Sequence, residues 1–273
     1  MIDVAEQTPP RRLRTSLMYN FAGEIARSIE RIGTVGRIFY TRRQLYYEFC
    51  RVVRERFLPS PPLPRVRSAR PLVSIERFDL ALNRHTALHG TPEGLLETPG
   101  TMHLSIDGRE PDLADYGLPR LMICEDREIA GMLIANGIHI ELSCAVLGLR
   151  DSVPLPDFLC AMLARADQPQ VYFLHNADPG SLSLVRVLPR RLGLPRGITL
   201  SSIGLRPAHA IRMRLAATRH KSTWALHAMA LPDLTDREEA WLRSGWRVEV
   251  AAVRPIDILR MVRNAVAHPS GIS

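Results

Sequence analysis

Leu121-Met122-Ile123-Cys124-Glu125-Asp126 is the stretch on which the fold of this chain turns. Four apolar residues stop at two acids, and a helical pattern runs on from 127 to 136. An apolar run this short, sharply bounded and followed by a helix, reads as a strand buried on both faces. Residues 140–147, ending at Gly148, read as a second strand, 155–166 as a helix, and Val171-Tyr172-Phe173-Leu174 as a third strand. This βαβαβ order predicts an α/β fold, a parallel sheet with helices on its faces.

In open parallel sheets the chemistry collects beyond the carboxyl ends of the strands. Glu125, Gly148 and the loop His175-Asn176-Ala177-Asp178-Pro179-Gly180 fall there. Acidic side chains converging at strand ends suit a hard divalent cation, with magnesium the natural choice for phosphate chemistry. Acids at these places also serve as helix caps, and the sequence leaves both roles open for Glu125 and Asp178.

Upstream lies Thr41-Arg42-Arg43-Gln44-Leu45-Tyr46-Tyr47. Threonine three residues before glutamine is a capping box, so a helix starts here and runs to about 56. Leu45, Phe49, Val52 and Val53 form its buried face. Arg43 and Tyr47 are four apart and share a face, whereas Tyr46 points roughly a third of a turn away. One tyrosine is therefore expected to pack while the other stays available. A phenol of pKa about 10 attacks poorly at neutral pH. A guanidinium one turn away favours the phenolate and grips a phosphate bidentately. Two tyrosines on an ordinary amphipathic helix would read the same way.

Around that helix, residues 12–32 carry Leu13, Leu17, Phe21, Ile25, Ile29 and Ile32 at helical spacing, and 33–36 make a turn. Pro59, Pro61, Pro62, Pro64 and Pro71 make an extended linker before a helix at 74–88. Residues 95–98 and 102–106 flank Pro99-Gly100 as a hairpin. Helices followed by a hairpin describe a winged-helix DNA-binding domain over 1–106. A polar linker at 107–119 and a second domain over 120–273 follow.

Charge points the same way. Residues 1–70 hold 14 arginines and 6 acidic residues, a net of +8 that equals the net charge of the whole chain, so the remaining 203 residues balance. A basic excess confined to one end suits a nucleic-acid-binding module joined to a neutral domain. At 273 residues and 46% apolar content the chain can bury two modest cores. Cys50, Cys124, Cys144 and Cys160 occur singly, which predicts buried thiols in a reducing compartment. No apolar run reaches the length of a membrane span and the start of the chain lacks a signal segment, so a cytoplasmic, nucleoid-associated protein is expected.

Taken together, these pieces resemble the A subunit of the type IIB topoisomerases and its relatives, the meiotic double-strand-break transesterases. That family joins a winged helix carrying a catalytic tyrosine to a magnesium-binding Toprim domain. Arg43-Gln44-Leu45-Tyr46-Tyr47 is similar to its arginine, two-residue spacer and tyrosine pair, in which the second tyrosine attacks. Glu125 resembles the glutamate ending the first Toprim strand, and Asn176-Ala177-Asp178-Pro179 the family's Asp-x-Asp-Pro. Leu234-Thr235-Asp236 and Val248-Glu249-Val250-Ala251-Ala252 look like its carboxy-terminal pattern.

The resemblance implies Tyr47 as nucleophile, Arg43 as its phosphate-stabilising partner, and Glu125, Asp178 and Asn176 as holders of magnesium, with manganese as a substitute. It implies a 5′-phosphotyrosyl link to double-stranded DNA, a homodimer in which tyrosine and metal come from different subunits, and a separate ATPase subunit for strand passage. One departure stands out: Asn176 replaces the first aspartate, which removes a charge that would offset desolvation of the ion. Asp126, Asp151 or Asp157 are the acids that would compensate. Two other classes stay open, a Toprim metal-dependent DNA nuclease of a defence system in which Tyr47 is structural, and a catalytically impaired DNA-binding or assembly subunit.

Other residues carry less. His85, His89 and His175 read as surface or loop residues without paired ligand spacing, and Ser181 and Ser183 lack a hydrolase elbow. Trp224, Trp241 and Trp246 are expected to pack the carboxy-terminal region, and 254–264 to form an amphipathic helix available to a dimer contact.

Overall fold

The computed structural model describes residues 20–33, 38–57, 70–97, 117–220 and 234–268. Its centre is a sheet of four parallel strands in the order β2-β1-β3-β4. They are β1 (Arg120–Cys124), β2 (Ala145–Gly148), β3 (Gln170–Leu174) and β4 (Leu200–Ser202). Register is direct: Met122 pairs with Val146 on one side and Tyr172 on the other, and Phe173 with Ser202. Leu121, Met122, Ile123 and Cys124 are all fully buried, as a central strand covered on both faces requires.

Side chains alternate across the strands and sort into two apolar layers. Leu121, Ile123, Val171 and Phe173 face helices α6 (Asp157–Arg165) and α7 (Pro179–Leu192) through Leu159, Leu163, Leu188 and Leu192. Met122, Cys124, Tyr172 and Leu174 face the other way. That layer contains α1 (Ala22–Gly33), α2 (Arg42–Phe57), α3 (Ile75–His89) and α4 (Arg127–Ala135), and α10 (Pro255–Ala267) near the carboxy terminus. The apolar side chains on either side of the expected 107–119 linker thus join in one cluster; residues 107–116 of that linker lie outside the described residues.

Most local expectations are met. Thr41 and Gln44 make the capping box reciprocally, with Thr41 N–H donating to Gln44 Oε1 at 2.9 Å and Gln44 N–H to Thr41 Oγ1 at 3.1 Å. Asp178 caps α7 by accepting from the N–H groups of Gly180 and Ser181. A second capping box, which the sequence reading did not single out, is formed by Thr235 and Glu238 at α9 (Asp236–Arg243). Trp241 and Trp246 are buried, and Trp224 lies outside the described residues. The thiols are free: Cys50, Cys124 and Cys144 are buried and Cys160 is half-buried. No described helix is long and apolar enough to cross a membrane.

One expectation changes, and others fall partly outside the described residues. The second strand is not 140–147: Gly137, at a φ of 75°, starts a helical turn, α5 (Ile138–Glu141), and the strand begins only at Ala145. Ile138 fills the core there while Ile140, two positions on, is 75% exposed, a split that a strand, with i and i+2 on one face, would not give. The helix read over 12–32 is described from Ala22, and its earlier residues lie outside the description. Residues 98–106 of the hairpin also lie outside it; among the described residues Leu95 pairs with Tyr40, in a bridge held by Tyr40 N–H to Gly94 O and Leu96 N–H to Tyr40 O, both 2.9 Å. Helix α10 spends its apolar face, Ile258, Leu259, Val262 and Val266, inside its own chain. Between α7 and α10 the sequence reading missed β4, the short helix α8 (Pro207–Arg212) and the antiparallel pair β5 (Thr218–Arg219) and β6 (Trp246–Arg247).

Candidate functional site

The ends of β1 and β3 bring Glu125 and Asp178 together. Both approach one hydroxyl: Ser181 Oγ lies 2.7 Å from Glu125 Oε1 and 2.5 Å from Asp178 Oδ2. Glu125 Oε2 also accepts from the Asn176 N–H at 2.9 Å, and Asp178 Oδ1 from the N–H groups of Gly180 and Ser181. A hydroxyl has one proton to donate, so Ser181 cannot satisfy both carboxylates as anions. Among the described residues every hydrogen bond these two acids accept comes from a neutral donor. Burial accordingly pushes the Glu125 carboxyl up; the bonds from Asn176 and Ser181 oppose it, and the negative charge of Asp178 adds to it.

His175 supports this loop from beneath. It is fully buried rather than at the surface, with Nδ1 2.8 Å from Asn176 O and Nε2 2.7 Å from Ser202 Oγ. A carbonyl can only accept, so Nδ1 carries the proton and Nε2 takes the serine hydroxyl; burial pushes the imidazole below its ordinary pKa and keeps it neutral. Gly204 lies against the ring so closely that a Cβ there would land on the imidazole. His85 and His89, by contrast, are ring neighbours at 4.7 Å, one turn apart on α3.

Asn176 is placed beside the pair, but its Oδ1 accepts from the Val250 N–H at 2.8 Å. It therefore ties the loop to the carboxy-terminal segment. The three acids expected to compensate are used otherwise or stand apart. Asp126 caps α4 by accepting from Glu128 N–H, Asp151 pairs with Arg127 at 3.3 Å, and Asp157 begins α6. Among the described residues no group of three or more His, Cys, Asp or Glu side chains is placed to hold a metal. What the pair offers is two carboxylates and a hydroxyl. That donor set fits magnesium, which keeps several waters and takes one or two carboxylates from a protein.

On α2 the expected division between the two tyrosines does not occur. Tyr46 and Tyr47 are 5% and 2% exposed. Tyr46 donates to Val73 O at 2.9 Å and packs edge-on against Phe78. Tyr47 faces Glu249 and Arg43, and burial, with Glu249 beside it, pushes its phenol well above the ordinary range despite the arginine. The cause is the setting of α2: α1, α3 and the 3₁₀ turn Val250–Ala252 cover it on several sides, so residues 44–50 are all buried. Arg43 lies over both rings, 5.3 Å and 5.4 Å from their centroids. Its Nε and Nη2 donate to Glu249 Oε2 and Oε1, each at 2.7 Å.

Family models, curated proteins and solved structures were all compared with this chain.
None of them matches it.
The family resemblance therefore rests on the motif residues alone. Of these, the structure brings Glu125, Asp178 and Asn176 into one loop cluster, and Tyr47 and Arg43 into another with Glu249. Ser181, His175 and Glu249 are the site neighbours that sequence reasoning passed over. Ser181 carried a signal, as the third residue after a helix-capping aspartate. Glu249 sits inside a quoted motif but 206 positions from Arg43.

Proposed function

We propose that this chain cuts DNA with a divalent ion held at Glu125 and Asp178, as a Toprim-type metal-dependent nuclease in which Tyr47 packs the core. One observation carries the reading: two half-buried carboxylates at neighbouring strand ends meet on a single hydroxyl and receive only neutral donors. Such a pair lacks positive charge, and a divalent cation supplies it. When bound, magnesium would stabilise negative charge on a phosphodiester and its leaving oxygen. Glu125 and Asp178 would hold it, Ser181 would orient both carboxylates, and neutral His175 would keep the loop in shape through Asn176 O. The arginine excess in residues 1–70 supports double-stranded DNA as the substrate.

A second reading keeps the chemistry of the family it resembles. It is favoured by Arg43 standing one turn from Tyr47 with its guanidinium over the ring. In this reading Tyr47 is the nucleophile and leaves a phosphotyrosyl link, and the partners are a second copy of the chain and an ATPase subunit. Burial of the phenol weighs against it in this conformation.

One experiment separates the two. Supercoiled and linear DNA are incubated with the chain and magnesium or manganese, then denatured with and without protease. The nuclease reading expects free ends, full cutting by Tyr47→Phe, and none by Glu125→Ala. Protein-linked ends that vanish in Tyr47→Phe would establish the transesterase instead. Intact DNA with either metal overturns both.

A further inference from the structure

The pair Arg43–Glu249 has no role in the reading above. It joins α2 to the segment after β6, and its geometry is that of a planar fork closed on a planar anion: two parallel bonds of 2.7 Å that use both carboxylate oxygens. A phosphodiester offers the same fork two non-bridging oxygens, which is why arginine grips phosphate bidentately. We propose that Glu249 is an internal stand-in for a DNA backbone phosphate, closing the Arg43 site in the free chain until a phosphate displaces it; this rests on the DNA-directed reading above.

Three observations support the assignment. The first is access. The side chains of Arg43 and Glu249 are 29% and 37% exposed, so an incoming anion reaches the fork from solvent. The second is redundancy as a joint. Further along α2 the same two parts are already held by Glu48 with Arg254, and by Arg51 with Ala252 O. A half-solvated pair adds little to such a joint. The third is local charge. Asp126 and Glu128 also lie within electrostatic reach of Arg43, and Glu128 of Arg42, which is itself bound to Asp79 at 2.7 Å; with Glu249 in place four carboxylates therefore face two guanidiniums, although residues 1–70 are basic. A closed fork thus opposes the backbone that the arginine excess of residues 1–70 would attract.

Binding of a short fluorescein-labelled duplex, followed by anisotropy in EDTA across a salt series, tests the latch without any cleavage. Glu249→Gln is expected to bind roughly five- to tenfold more tightly, with a logarithmic salt slope steeper by about one, the mark of one added phosphate contact. Arg43→Gln in the same chain should cancel both gains. If circular dichroism shows Glu249→Gln to be unfolded, Glu249→Asp, too short to close the fork fully, should give a smaller gain of the same sign. Wild-type binding with variant curves that superimpose on it overturns the latch and leaves the DNA-directed reading. Absence of binding in every variant overturns both. Tighter binding without magnesium-dependent cutting upholds the latch and overturns the nuclease.

Discussion

Glu48 and Glu125 are both carboxylates drawn into the interior, and they are treated in opposite ways. Glu48, on α2, is 1% exposed and receives three guanidinium groups: Arg31 at 3.2 Å, Arg51 at 2.6 Å and Arg254 at 3.1 Å. Burial alone would push it up, but Arg51 and Arg254 outweigh that and hold its carboxyl below the ordinary range. Glu125 receives one backbone N–H and shares one hydroxyl, and its carboxyl is pushed up. A charge matched in place is a joint, here between α1, α2 and the start of α10. A charge left unmatched beside a second one is a place prepared for something else.

The contrast breaks first at Glu48. Its removal leaves three arginines facing one another around an apolar gap, and Glu48→Ala should cost roughly 3 kcal/mol or more, the range for breaking a buried pair, read as a fall in the urea midpoint. A loss under about 1 kcal/mol would mean that solvent already screens those arginines. Because the folded-state pKa of Glu48 is depressed, its contribution is present above the unfolded value of about 4.3 and is lost as pH falls through the folded one. The gap between wild type and Glu48→Gln should therefore close on acidification below about pH 4.

A smaller effect measures what the Asp178 cap is worth. Asp178→Ala removes the acceptor for two N–H groups of α7 and should cost about 1 kcal/mol, whereas Asp178→Asn keeps the cap and most of the stability. Equal loss in both variants would show that the charge, not the cap, matters to the fold. The smallest effect is of opposite sign. In EDTA at neutral pH, Glu125→Gln should leave stability unchanged or raise it by less than about 1 kcal/mol, since it removes a buried charge repelled by Asp178. A clear destabilisation there would erase the distinction between joint and site.

Much of the frame was legible because it is written in short-range pattern. The run 121–124 could only be a covered strand, and Thr41 with Gln44, or Asp178 before Pro179, are caps whose partners lie within three residues. The reading failed where two patterns look alike. Ile138, Ile140 and Leu142 alternate as a strand would, yet Gly137 at positive φ turns that segment into a helix end. It failed again where burial comes from several directions. Nothing in the spacing of Tyr46 and Tyr47 says that α1, α3 and the 250–252 turn enclose them both. His175 looked like a loop residue because polar residues follow it, while Ser202, the last residue of a strand the sequence reading did not find, and Gly204 just beyond it enclose the ring.

By itself the amino-acid order determined part of the frame: the strands β1 and β3, where helix α2 begins, and that acids follow the ends of β1 and β3. Backbone hydrogen bonding and side-chain periodicity act over a few residues, so a linear reading captures them. Only the tertiary structure decided which charges meet. Arg43 faces Glu249 and Glu48 faces Arg254, each across 206 positions, while Glu125 is left with neutral donors beside a second carboxylate. Those meetings depend on how apolar faces pack, and packing is indifferent to distance along the chain.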